Sequence, residues 1–426
     1  TNSSIVERDV VGDMNPAHAY LHGDDRQGGI PLGSAWLDGD YEFTKPPSLI
    51  ASIFITTWIM ILAFKEYLFL LLLVILMPII YERISFLRGH PIKNRFMLAP
   101  LTNCQSHETG MLSKEEYQWL VMRAKGGFGL VMTCATHVQA VGQGFPGQLG
   151  VFSNDHLDGM TRLASEIKLH NSVAIAQLHH AGMRSPKELI GEDPVCPSDN
   201  EELSARALTL DEVKLLRDDF IAGAVRSEKA GFDGVELHGA HGYIICQFLS
   251  DEVNLRDDEY GGDLKGRARL LNEIIDGVRS ECASEFMLGV RLSSERFGIK
   301  LGESKQLAEE LMLSDKLDFL DMSLWDSFKE PQEEEFKGKS LLQHFAELEK
   351  GNTRLGVAGN IRTPQDATRA MEEDIDWIML GRAAILNHNF PELYADNPEF
   401  ETPVIPVSVE YLAGEGLSPK LSLIHI

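Results

Sequence analysis

No CxxC pair occurs in the 426 residues, and the five cysteines (Cys104, Cys134, Cys196, Cys246 and Cys282) stand far apart. An odd, unclustered set argues against a zinc or iron–sulfur centre built on thiolates and fits reduced thiols in a cytosol-like compartment. Basic residues are scarce: 39 Lys and Arg face 64 Asp and Glu, a formal net charge of −25. A nucleic-acid binder normally needs a basic face, so that class drops out. No GxGxxG follows the first strand candidate, which removes the dinucleotide fingerprint of a doubly wound fold. No apolar run reaches, uninterrupted, the about 20 residues of a membrane-spanning helix. Residues 50–64 (IASIFITTWIMILAF) and 67–80 (YLFLLLLVILMPII) are apolar, but Lys65 and Glu66 divide them. Joined, they would span a bilayer only with a charge pair near its middle, which is costly.

The chain therefore divides by composition. Residues 1–47 are rich in Gly, Asp and Pro without sustained periodicity, and no role is assigned to them. Residues 48–80 read as a membrane anchor, an uncleaved signal-like segment, or a stretch foreign to the functional protein, the third being preferred. The chain opens on Thr1, and Met77 offers an alternative start because soluble-type sequence follows it. The main domain is expected over 84–400, with a tail at 401–426. The last six residues, LSLIHI (421–426), look like translated adapter read-through. The protein is expected in the cytoplasm, with membrane attachment only through 50–80.

From about residue 92 short apolar runs alternate with amphipathic stretches. Eight runs read as strands buried on both faces: 95–101, 129–134, 173–178, 234–238, 286–292, 318–323, 354–359 and 377–381. Helical patterns lie between them at 113–125, 157–170, 209–230, 265–281, 303–314, 339–350 and 364–373. Thr209 with Glu212 is a capping box, and Gly231 closes the helix that it opens. Eight such units predict an α/β chain folded as a (β/α)8 TIM barrel, with a doubly wound sheet as the alternative. Loops after strands are long at 135–156, 179–208, 239–263 and 324–338. In a barrel these gather at the end where active sites form.

The stretch VELHGAHGYIICQF (235–248) puts His238 at the end of the fourth strand, with His241 and Tyr243 just behind it. Two imidazoles at a barrel mouth can donate to one oxygen and stabilise charge developing on it. A neutral tyrosine hydroxyl nearby can supply a proton. A structural histidine is the plainer reading of either one alone, and HxxH with His179 and His180 could be part of a metal site. Hydrolytic metal barrels usually carry HxH on the first strand, and none is present.

Six motifs in order carry a resemblance: NRFMLAPLT (94–102), QLHHAG (177–182), GVELHGAHGYIICQFLSDEVNLRDDEYGG (234–262), VRLS (290–293), VAGNI (357–361) and LGRAAI (380–385). Over about residues 84–400 the chain resembles the old yellow enzyme family, the FMN-dependent NADH:flavin oxidoreductases or ene-reductases. The resemblance implies noncovalent FMN across the barrel mouth, NADH or NADPH as reductant, and an α,β-unsaturated carbonyl compound as oxidant. It implies catalytic roles for His238, His241 and Tyr243. It places Ala99, Pro100 and Thr102 against the flavin ring, Ala135 where a small side chain lets the ring lie close, and Gln177 on the pyrimidine edge. Arg291 would sit near N1 and O2, and Gly359, Asn360, Gly381 and Arg382 would hold the phosphate.

Taken singly, some of these residues read otherwise: Thr102 as an ordinary strand end, Ala135 as packing, Arg291 as an internal ion pair with Glu236 or Asp321. The family's YGGSxxNR stands here as YGGDLKGR (260–267), with Asp263 and Gly266 as departures. Asn103 and Cys104 follow Thr102 where some relatives carry an aromatic substrate contact. Trp325, in SLWDSF (323–328), reads as a pocket wall or as rim packing. The competing readings are a metal-dependent hydrolase using His179, His238 and His241, and a membrane-attached flavin-binding protein without turnover. Relatives often dimerise, and the sequence leaves a homo-oligomer as an open reading.

Overall fold

A computed structural model describes residues 79–425, together with the isolated positions 58, 60 and 65. The chain divides into two units, Thr1–Phe69 and Leu70–Ile426, and the strands and helices named here belong to the second. The expectations for 1–47 and for most of 48–80 lie outside the described residues. Among the described residues, no helix is long and apolar enough to cross a membrane.

Eight parallel strands close on themselves: β1 (Phe96–Leu98), β2 (Leu130–Met132), β3 (Val173–His179), β4 (Gly234–Gly239), β5 (Met287–Ser293), β6 (Phe319–Ser323), β7 (Arg354–Ala358) and β8 (Trp377–Leu380). Each pairs with the next, β8 returns to β1, and β2 pairs β3. The register sets His238 beside Arg291, Arg291 beside Asp321, and Gln177 beside Glu236. All eight predicted strands are present, and the barrel replaces the doubly wound alternative. Nearly every strand residue is buried, because one face looks into the barrel and the other onto helices.

The helices that succeed the strands in turn are α1 (Lys114–Lys125), α2 (Leu157–Leu169), α3 (Leu210–Lys229), α4 (Arg269–Glu281), α5 (Leu301–Met312), α6 (Leu341–Ala346), α7 (Pro364–Ala370) and α8 (Arg382–Leu386). The capping box on α3 is formed: the Thr209 side chain accepts from the Glu212 N–H and Glu212 reaches back to Thr209 N. Gly231 comes just after it at φ +85°, the left-handed conformation glycine adopts freely. Two helices differ from expectation. The 265–281 stretch breaks at Ala268 into a short turn, Leu264–Arg267, and α4. The 339–350 helix stops at Ala346, where Leu348 N bonds back to Phe345 O in a tighter turn.

The barrel interior is solid. Met97, Met132, Ile175, Met287, Phe319, Trp377 and Met379 fill it. Large rings are admitted by glycines opposite: a Cβ on Gly289 would lie 2.0 Å from the Phe319 ring, and one on Gly356 1.9 Å from Trp377 Nε1. Below, an antiparallel bridge between Ile84 and Ile92 covers the N-terminal end, and Phe86 packs 5.5 Å from the Trp377 ring. The tail also packs on the barrel: Leu412, Leu417 and Leu421 join the core, and Tyr411 Oη donates to Leu386 O.

Candidate active site

A cavity of about 590 Å³ opens at the C-terminal ends of the strands. All thirteen residues to which the resemblance gave catalytic or flavin-binding roles line it: Ala99, Pro100 and Thr102 after β1, Ala135 after β2, Gln177 on β3, His238, His241 and Tyr243 on and after β4, Arg291 on β5, Gly359 and Asn360 after β7, Gly381 and Arg382 after β8. Parallel strands all end on one rim, so positions far apart in sequence converge there.

The histidine pair is held from several sides. His238 is buried in β4, and His241 sits in the turn behind it at φ +62°. That left-handed conformation is uncommon outside glycine, and here the His241 N–H donates to Ser293 Oγ at 2.9 Å. His238 Nε2 and His241 Nδ1 lie 3.2 Å apart. An oxygen about 2.9 Å from each would complete a near-equilateral triangle and accept from both. Ser323 Oγ is 2.7 Å from His241 Nε2. A hydroxyl donating there leaves the His241 proton on Nδ1, the nitrogen that faces His238. Burial pushes His241 down to about 3, with Arg291 and Arg184 adding to it. Burial also holds His238 well below the usual histidine range, with His241, His179 and Arg291 acting the same way. Both rings are therefore neutral at physiological pH, and with the His238 proton on Nε2 the pair would present two donors to one point. Tyr243 packs with its ring 5.3 Å from His238 and 4.3 Å, edge on, from His179.

Gln177 Nε2 donates to Glu236 Oε1 at 2.6 Å. With its amide N turned to Glu236, Gln177 leaves Oε1 for a ligand edge. Behind it Asp321 Oδ1 accepts from Trp377 Nε1 at 3.0 Å. Burial and then the Glu236 charge hold the Asp321 carboxyl well above its usual range. Arg291 makes no ion pair with either acid: its Nε and Nη1 are buried and unpartnered. The internal-salt-bridge reading of Arg291 is therefore not what the structure shows. Buried donors without partners are rare, and these border the cavity.

These features test the fit of FMN. Arg291 offers unsatisfied donors for an electron-rich ring edge, and Gln177 an acceptor. A Cβ on Gly359 would come within 2.9 Å of Ser327 N, so the backbone there is close-packed. Arg382 and Arg362 both line the cavity, no Asp or Glu lines it, and burial followed by the Arg362 charge lowers Arg382. Such a pair suits a dianionic phosphate. The residues present fit the cofactor.

Sequence reasoning missed Arg184, Ser323, Arg362 and Phe297, all on the cavity wall. Arg362 directly follows VAGNI, and Arg184 lies just beyond QLHHAG, so motif proximity was the available signal. Trp325 lines the cavity and is also 58% exposed, so wall and rim readings both hold. Asn103 instead points to the core, donating to Glu116 Oε1 at 3.0 Å. Asp263 takes the place of a capping serine and accepts from Gly266 N at 2.9 Å, while a Cβ at Gly266 would strike Gly261 O. For the metal reading, among the described residues no three His, Cys, Asp or Glu side chains converge as ligands. His179 Nδ1 is moreover engaged by the Gln148 amide at 3.0 Å.

Comparison with known proteins agrees with this layout. A family model described as NADH:flavin oxidoreductase / NADH oxidase matches residues 82–398. A probable NADH-dependent flavin oxidoreductase of Bacillus subtilis is 34% identical over 73% of this chain and 86% of its own length. An NADPH dehydrogenase of Clostridium acetobutylicum is 35% identical over 54% of this chain and 70% of its own. Among solved structures, an old yellow enzyme homologue from Zymomonas mobilis superposes with a TM-score of 0.67 at 28% identity, covering 79% of this chain and 96% of that one. A closed barrel, a cavity at its strand ends that fits a flavin, and a match over three quarters of the sequence lead to one assignment: the chain belongs to the NADH:flavin oxidoreductase / NADH oxidase family, that of the old yellow enzymes.

Proposed function

We propose that the protein reduces the C=C bond of α,β-unsaturated carbonyl compounds at the expense of NADH or NADPH. FMN is the cofactor of the family, and its relatives are named NADPH dehydrogenase and NADH oxidase. The observation that carries the finer reading is the 3.2 Å separation of two neutral imidazole nitrogens on the cavity wall. That spacing lets one carbonyl oxygen accept from both rings, and among the described residues no group of three His, Cys, Asp or Glu side chains converges there as metal ligands.

Bound in this cavity, FMN would supply the hydride transfer between the nicotinamide and the β-carbon of the substrate. The chain supplies the remainder. His238 and His241 donate to the carbonyl oxygen and stabilise the enolate character that develops on it. Tyr243 is the proton donor to the α-carbon. Gln177, Arg291 and the strand-end residues Ala99, Pro100, Thr102 and Ala135 would hold the ring, and Gly359, Asn360, Gly381, Arg362 and Arg382 its phosphate. One cavity serves both half-reactions, so ping-pong kinetics are expected. The unpaired cysteines suit a reducing compartment, and the reading places the enzyme in the cytoplasm.

The test is direct. The full chain is purified, its visible spectrum recorded, and the reduced flavin mixed anaerobically with 2-cyclohexenone. Rapid reoxidation is expected, with enone binding weakened roughly 100-fold or more in the His238→Ala, His241→Ala double variant, two charge-stabilising donors being lost. A colourless protein that refuses added FMN, or a double variant with unchanged kinetics, would overturn the reading.

A further inference from the structure

The cavity walls run against the charge of the chain as a whole. The molecule carries 25 more acidic than basic residues, yet Arg184, Arg291, Arg362 and Arg382 line the cavity and no Asp or Glu does. None of the four forms an ion pair with a described residue. Arg291 is buried and the other three reach solvent, and four like charges around one cavity raise a positive potential that draws anions to it. Arg362 and Arg382 are accounted for by the cofactor phosphate, and Arg291 by the flavin edge. Arg184 is not.

Arg184 belongs to the other cluster. It follows β3, and its guanidinium lies over the Tyr243 ring, 4.7 Å from the centroid. Its Nη1 donates to the backbone carbonyl of His241. A guanidinium has five N–H donors in a planar fork, so this contact leaves four. The arginine is thus held by the turn after β4 that carries His241 and Tyr243, two of the proposed catalytic groups, with four of its five N–H donors left over.

Resting on the function proposed above, we propose that Arg184 anchors a carboxylate on the oxidising substrate. The preferred substrates are then α,β-unsaturated carbonyl compounds bearing an acid group a few bonds from the carbonyl, not neutral enones. His238 and His241 take the carbonyl; Arg184 takes the acid as a forked, charge-assisted pair. Both grips border the Tyr243 ring, so a single small molecule reaches both.

The experiment uses the full-length, FMN-loaded protein and two saturated probes, cyclohexanone and 3-oxocyclohexanecarboxylate, titrated separately and read by the perturbation of flavin absorbance. The wild type is expected to favour the carboxylate by roughly 30-fold. In Arg184→Ala that ratio should collapse to within about threefold, and Arg184→Lys should retain part of it. Because the readout is a ratio, a merely structural role, which weakens both probes alike, would not move it. No preference in the wild type, or a ratio that survives Arg184→Ala, overturns the proposal. So does an Arg184→Ala effect confined to NADH, which would give the arginine to the coenzyme's phosphates. Binding of these ketones needs no turnover, so failure of enones to reoxidise the flavin would count against the ene-reductase reading alone.

Discussion

Tyr243 and Ser323 illustrate how single side chains set the chemistry. Removing the Tyr243 hydroxyl would take away the proposed proton donor but leave the imidazole pair, so Tyr243→Phe should bind enones nearly as before and slow the oxidative half-reaction by about 10²-fold or more. Stopped-flow reoxidation separates the two effects. Ser323 touches no reacting atom; it positions. Without its hydroxyl His241 is free to carry its proton on Nε2, and the Nδ1 donor beside His238 is lost. Ser323→Ala is expected to weaken ketone binding by about tenfold, the worth of one hydrogen bond, while Ser323→Thr restores it. These residues also mark the limit of sequence reading. His238, His241 and Gln177 were legible because they sit in contiguous motifs at strand ends. Ser323 and Arg184 were not, because their importance comes from partners 82 and 57 positions away.

At the scale of elements, the strands were the most legible feature, since burial on both faces makes them read as unbroken apolar runs. Their ends were less so. The run 129–134 looks like one strand, but the ladder covers Leu130–Met132 and the chain then turns, with Thr133 and Thr136 hydroxyls bonding each other at 3.1 Å. Glycine opposite a ring is the other element-level device, and it was invisible in one dimension. Gly356 on β7 gives room to Trp377 on β8, and a Cβ there would also lie 2.3 Å from Asp321 Oδ1. None of these is a flexible surface group that could swing away. Gly356→Ala should therefore cost at least about 2 kcal/mol through overpacking, read as a lower urea midpoint with an unchanged slope. An effect below about 0.5 kcal/mol would show that the barrel interior yields.

For the whole molecule, buried histidines couple folding to acidity. Burial lowers His137 to about 4, His180 and His241 to about 3, and His179 and His238 well below the usual range. Unfolded, each takes a proton near pH 6.5. Between that pH and about 4 the unfolded chain binds more protons, so stability falls as the pH falls, by up to about 1.4 kcal/mol per pH unit for each histidine. Glu116 and Asp321 act oppositely: burial raises both, so they lend stability on the acid side and lose it as the pH rises. Five groups outweigh two. The urea midpoint at pH 5 should lie clearly below that at pH 7, and His180→Gln should flatten the slope; a midpoint independent of pH would contradict the burial of these rings.

The packed interior of the barrel has a further consequence for traffic. Met97, Phe319 and Trp377 plug the centre, and the Ile84–Ile92 bridge seals the opposite end. Arrivals and departures at the proposed site therefore share a single doorway. Under the proposed function the spent coenzyme would leave before the compound to be reduced enters, and either visitor in excess would block the other, so each is expected to inhibit turnover at high concentration.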